Sequence, residues 1–257
     1  MDDLADVAVT PESRDVLTSV RQELQAGVSA DPIVTDFLWL ARQYNLPMAA
    51  ADCLIETFLE DAESRILIED EEQLVRYCYG VAGTVGLMMS PILGADRKAA
   101  APAAICLGVA MQMTNIARDV LEDAQNGRRY LPGSWVHGIL PQEMIAAVEC
   151  RQDIAVAVER LLELADEYYA RAVTGFPLIP VRARRGIAIA AAVYREIGTV
   201  LRHRRCPWWN GRVRVSFAHK LRIALGVSLG GSDLARLTVK GPVVEPWQSL
   251  GGLPGVG

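Results

Sequence analysis

The chain has 257 residues, of which 51% are hydrophobic, 22% charged and 6% aromatic, with a formal net charge of −5 at pH 7. That apolar content excludes a mostly disordered chain, and the negative balance excludes a nucleic-acid binder that works by bulk positive charge. Plentiful Ala, Leu, Glu and Arg, without long alternations of β-branched residues, direct the chain to helices rather than to a sandwich or barrel.

The sequence opens MDDLAD (1–6), acidic where a signal peptide would be basic and then apolar, so a cytoplasmic protein is expected. Asp31-Pro32 supplies a cap and a proline at the first helical position, and apolar spacing runs on to Tyr44 before Asn45 and Pro47 stop it. A second helix is predicted over 47–65. Asp70, answered by Gln73 three residues later, has the form of a capping box and opens a helix through 74–89 that Pro91 is expected to close. A long helix follows over Arg97–Gln125, then others over 141–173, 181–205 and 216–227. Residues 99–117 carry no formal charge and are about long enough to span a membrane. Pro102, Gln112, Thr114 and Asn115 within them, and Arg118-Asp119 directly after, identify instead a buried helix of a bundle.

Trp208-Trp209, between Pro207 and Asn210-Gly211, reads as a packing plug in a turn. Past residue 227 Gly and Pro dominate, which reads as an extended tail (227–257) after one helical domain (1–226). No stretch alternates cleanly enough for a strand, and no repeat is found. The five cysteines form no CxxC pair and the three histidines are scattered, so neither a disulfide framework nor a zinc site is expected. Charge is unevenly placed: residues 1–72 hold 17 acids and 4 bases, whereas 182–222 hold 11 bases and a single acid, Glu196. Solvated surfaces explain most such residues; the basic region also suits phosphate or an anionic membrane.

The long helix carries the chemistry. Gln112, Asn115, Asp119 and Asp123 follow one another at spacings of three, four and four, which places them on one narrow stripe of an otherwise apolar helix. Buried carboxylates need a cation, and acids without Cys or His nearby suit a hard one such as Mg²⁺ held together with substrate phosphate. The competing reading is a solvated helix end. Asp2 and Asp6 repeat the spacing, either as a second acidic pair or as an acidic tail. In YCYGVAGTVG (77–86), Gly80, Gly83 and Gly86 each cost about 1 kcal/mol relative to Ala within a helix. Such glycines admit either a neighbouring helix or a long hydrocarbon ligand.

These segments resemble the squalene and phytoene synthase family, whose members join two prenyl diphosphates head to head. YCYGVAGTVG is similar to its tyrosine-glycine helix, and QMTNIARDVLEDAQNGRRYLP (112–132) to its second aspartate motif and following loop. YREI (194–197) and RVRVS (212–216) resemble its C-terminal helices. The resemblance covers about residues 1–226 and runs closest to bacterial phytoene or dehydrosqualene synthases. It implies a single-domain, all-α isoprenoid synthase bundle around a central cavity. Asp2 and Asp6 are then the first metal motif and Asp119 and Asp123 the second, all four catalytic together with Tyr77. Asn115 joins the metal ligands, and Gln112 lines the diphosphate site. Arg118 and Arg212 neutralise phosphate, Tyr77 and Tyr194 hydrogen-bond to it, and Val81, Ala82, Val85 and Gly86 line the prenyl tunnel. Family members carry some tens of residues ahead of the first motif, so the resemblance implies either a start assigned too late or a truncated front.

The implied activity is a Mg²⁺-dependent prenyl transfer, with Mn²⁺ as the substitute, that makes phytoene from two geranylgeranyl diphosphates in carotenoid biosynthesis. Without a GxGxxG fingerprint NADPH is not expected, which favours an unreduced product. Squalene or dehydrosqualene formation from farnesyl diphosphate is the first alternative, and an inactive relative acting by binding the second. A monomer is expected, and because the substrates are lipids the basic region between Arg182 and Arg222 is expected to favour loose peripheral attachment to anionic bilayers.

Overall fold

The computed structural model describes residues 11–63, 66–229 and 250–256; Asp2 and Asp6 lie outside them. The described residues form helices α1 (Pro11–Ala26), α2 (Pro32–Gln43), α3 (Met48–Glu63), α4 (Glu71–Cys78), α5 (Thr84–Ile92), α6 (Arg97–Gln125), α7 (Pro141–Ala146), α8 (Arg151–Val173), α9 (Val181–His203) and α10 (Phe217–Ser228). The all-α class read from composition is what the structure shows. Among the described residues, one isolated bridge between Leu67 and Arg129 is the sole β pairing.

Local chemistry sets the helix ends. Asp31 accepts the N–H groups of Ile33 and Val34, with Pro32 at the first position, and Asp96 accepts that of Ala99 at the start of α6. Asp70 caps α4 through the Gln73 N–H, but the Gln73 side chain accepts from Glu69, one residue before the cap. The expected box is therefore half formed.

Three sequence expectations need correction. α1 was not foreseen, because its inward residues Leu17, Val20 and Leu24 are diluted by polar neighbours; Arg21 ties it to Asp52 of α3 at 2.7 and 2.8 Å. Pro91 does not close its helix but lies inside α5, which runs to Ile92 before Gly94 turns with φ 81°. Proline cannot donate to the Leu87 carbonyl, and the Ser90 hydroxyl takes that acceptor at 3.1 Å instead. The predicted helix over 141–173 is interrupted at Ala147, whose extended conformation (ψ 104°) ends α7 and leads through a 3₁₀ turn into α8.

α6 is the axis of the bundle, packed most extensively along α8 and flanked by α5 and α9. Ile105, Cys106, Val109, Ala110, Met113 and Ala117 are wholly buried, which explains the uncharged run without a membrane. Trp208 plugs the core and donates its indole N–H to the Arg151 carbonyl at 3.1 Å. Residues 250–256 return to this body: Leu250 is fully buried, and the Tyr79 hydroxyl donates to the Pro254 carbonyl at 2.5 Å.

Candidate active site

Between α4 and α5 the helix passes through one π turn, Tyr79–Gly83. The glycines of this segment and of α6 show what approaches. A Cβ on Gly86 would meet the carbonyl of Ala104, and one on Gly108 that of Ala82, both under 3.0 Å. α5 and α6 therefore cross backbone against backbone. Gly80 faces the Thr57 side chain, and Gly83 faces the Tyr79 ring. Close packing is thus the direct reason for these glycines, against α6 at Gly86, α3 at Gly80 and the segment's own Tyr79 at Gly83, and a cavity opens beside the crossing.

That cavity, about 380 Å³, is lined by Val81, Ala82, Val85 and Gly86 on one wall and by Leu107, Gly108 and Met111 on the other. Phe176, Ile179 and Ile187 also line it, and its polar side chains include Gln112, Asn115 and Tyr194. Seven of the residues named from the sequence thus share one space. An apolar compartment with a few polar groups in its wall suits a long hydrocarbon with a charged head.

The stripe on α6 continues from Asn115 to Asp119 and Asp123. Asp119 is gripped by two guanidiniums. Arg118 donates to its two oxygens at 2.8 and 2.6 Å, and Arg212 at 2.7 and 2.9 Å. Burial pushes the Asp119 carboxyl up, but the bonds from Arg118 and Arg212 outweigh it and hold the group below the usual carboxylate range. Tyr194 lies within the electrostatic reach of Arg118.

Tyr77 is not among the residues lining the cavity. It stacks on Tyr130 with ring centroids 4.8 Å apart, and burial drives its hydroxyl well above the ordinary tyrosine value, helped by Tyr130 and Asp61. Asp61 hydrogen-bonds to Tyr77 and is pushed up to about 7 by burial, against the opposing pull of Arg128 and Tyr77. Asp123 acts on the same Tyr130. Asp61, Arg128 and Tyr130 thus join the polar end of the stripe to Tyr77, a grouping that no spacing in the sequence marks, because it assembles from α3, α4 and the loop after α6.

The residues present fit a hard divalent cation. The Asn115 Oδ1 is buried without a hydrogen-bond partner, and the other donors on the stripe, Asp119 and Asp123, offer oxygen only. Among the described residues no three Asp, Glu, His or Cys side chains converge on one point. The remaining acids named for this role, Asp2 and Asp6, fall outside those residues.

The squalene/phytoene synthase family model matches residues 1–219. A 15-cis-phytoene synthase from Pantoea ananas is 36% identical over 222 residues, covering 85% of this chain and 72% of that protein. Another, from Enterobacter agglomerans, is 39% identical over 205 residues, covering 79% and 68%. The crystal structure of a dehydrosqualene synthase in complex with ligand superposes with a TM-score of 0.76 at 27% identity, covering 88% of this chain and 82% of that one. The chain belongs to the squalene/phytoene synthase family.

Proposed function

We propose that this protein condenses two geranylgeranyl diphosphates head to head to phytoene, with Mg²⁺ bound at the polar end of the cavity. The observation that carries the reading is continuity: Gln112 and Asn115 stand in the wall of an apolar cavity and lie on the same helical line as Asp119 and Asp123. A ligand can therefore place its hydrocarbon in the cavity and its diphosphate at the acids. The 36% and 39% identity to phytoene synthases supports the longer substrate.

Asn115, Asp119 and Asp123 would hold the cation, which supplies positive charge to the departing diphosphate. Arg118 and Arg212, already at Asp119, would take phosphate oxygens, and Tyr194, in the cavity wall, would donate to one. One C–O bond breaks and diphosphate leaves with the electron pair; the allylic cation is attacked by the double bond of the second substrate. Loss of a proton closes a cyclopropyl diphosphate. A second C–O cleavage, rearrangement and loss of another proton give the product. Val81, Ala82, Val85 and Leu107 keep water from the cations along this path.

The test is product analysis after incubation with geranylgeranyl diphosphate or farnesyl diphosphate and Mg²⁺. A C40 hydrocarbon with a central conjugated triene is expected from the first substrate. A product from farnesyl diphosphate alone would replace the reading with dehydrosqualene formation, and no product from either would leave a binding protein.

A further inference from the structure

α10 presents two apolar faces, and among the described residues only one of them is packed against the rest of the fold. Ile223 and Val227 turn inward and pack with Phe176, Ala188 and Ala191. On the other side Phe217, Leu221, Leu225 and Leu229 recur every four residues and are 81%, 49%, 54% and 85% exposed. At 3.6 residues per turn these four side chains make one continuous stripe along the helix and its first following residue. An ordinary surface helix would be polar there, so a row of large apolar side chains marks an interaction surface.

The surrounding charge is of one sign. Lys220 and Arg222 stand exposed on the same helix, with Arg214 just before it. Arg182 and Arg185 are exposed at the start of α9, against which α10 packs. Residues 197–232 contain no acid, and Glu196 is engaged by His219 at 3.1 Å. Much of the rest of the basic region is internal: Arg195 and Arg202 bind Asp166 at 2.6 and 2.8 Å, and Arg184 donates to the carbonyls of Pro177 and Ile179.

We propose that the outer face of α10 docks in the plane of an anionic bilayer, with Phe217, Leu221, Leu225 and Leu229 entering the acyl boundary and Arg182, Arg185, Lys220 and Arg222 contacting lipid phosphates. A single helix lying flat, with an apolar row bordered by long basic side chains, matches a membrane surface in both shape and charge. The inner face of the same helix packs on Phe176, with Ile179 and Ile187 beside it, and all three line the cavity, so the docked surface adjoins the compartment proposed for hydrocarbon. The docking itself rests on exposure and charge, independently of which product forms.

Flotation of the full chain with vesicles of phosphatidylcholine, with and without phosphatidylglycerol, tests it. Binding to the phosphatidylglycerol vesicles at low salt is expected, weakened at high salt. The Leu221→Ser/Leu225→Ser variant should bind at least about tenfold more weakly, because two exposed leucines contribute more than the 1.4 kcal/mol that a factor of ten requires. Its melting temperature and sedimentation should match the parent. Absence of parent binding, equal binding of the variant, or equal binding to both vesicle types would overturn the proposal. So would a lowered melting temperature, which would show the stripe covered by the chain itself, or a parent dimer that the variant dissolves, which would make a second copy the occupant.

Discussion

Replacing Gly86 or Gly108 by Ala tests how the cavity wall is held. The added Cβ at Gly86 would lie 2.8 Å from the Ala104 carbonyl carbon and nearer still to its oxygen; at Gly108 it would lie 2.6 Å from the Ala82 carbonyl carbon. Ordinary contact begins at 3.4 Å, so α5 and α6 must part by on the order of 1 Å. The obstacle is backbone, which cannot rotate aside as a side chain would. Overpacking of this kind costs about 1–3 kcal/mol, and the upper end applies where no rotamer can yield. Alanine's better helix propensity returns about 1 kcal/mol. A net loss of about 2 kcal/mol should lower Tm by roughly 4–8 °C at this chain length. The same displacement moves Val81, Ala82 and Val85 relative to Leu107 and Met111, so product formation should fall with stability. Gly186 of α9 is the control, since a Cβ there meets nothing within 4 Å. Gly186→Ala should raise stability by up to about 1 kcal/mol. Thermal denaturation that ranks all three variants alike, or a Gly86→Ala protein with unchanged Tm and turnover, would refute the backbone crossing.

Asp119→Asn and Asp123→Asn should each reduce turnover at least about a hundredfold while the protein stays folded by circular dichroism; full activity in both would make the stripe a solvated helix end. Folded Asp61, with a pKa pushed up to about 7 against the ordinary 3.8, keeps its proton to higher pH than the unfolded chain does. Its contribution to stability is therefore complete below the ordinary value and is lost as pH rises toward 7. Asp61→Asn, which mimics the protonated acid, should match the parent at low pH and melt higher at pH 8; parallel Tm curves would exclude a proton on Asp61. Arg129 has a side chain only 1% exposed, and among the described residues it is ion-paired with Glu69 at 2.6 Å. Glu69→Ala leaves a buried guanidinium without that partner and should cost about 2 kcal/mol, while Arg129→Leu should cost less. Calorimetry giving the opposite order would show that the pair stabilises by attraction and not by relief of burial.

The sequence made α6 legible because two signals coincide there: an uncharged run that only burial tolerates, and a polar line too narrow for a solvent face. Asn115, Gln112 and the Val81 to Gly86 wall were found because they belong to that helix or to the glycine segment crossing it. Asp61 was not. In the run Leu59-Glu60-Asp61 it is indistinguishable from a surface acid, and its surroundings come from Tyr77 in another helix and from Arg128 and Tyr130 in a distant loop. The basic region misled in the same way. Counting assigns one surface to eleven bases, yet Arg195 and Arg202 turn to Asp166, and Arg212 turns to Asp119. Along α10 the spacing of four reads as core wherever it occurs. Only packing distinguishes Ile223 and Val227, which are covered, from Leu221 and Leu225, which are not.

Charge balance connects these observations to the site. Asp119, Glu122 and Asp123 bring three negative charges to the end of α6, and Arg118, Arg128 and Arg212 bring three positive ones, so the described part of the site is close to neutral before any ligand enters. A diphosphate arriving alone would face carboxylates, and a divalent cation arriving alone would face guanidiniums. In a partly buried setting either approach is penalised more than it would be in water. If the proposed site is right, Arg118 and Arg212 would release Asp119 without leaving it uncompensated when cation and anion arrive together, the arginines then binding phosphate oxygens and the carboxylate helping to hold the cation. Under the proposed function, the paired geometry at Asp119 would therefore favour the complete metal-diphosphate substrate over either component, with Arg118 and Arg212 serving both the resting carboxylate and the departing group.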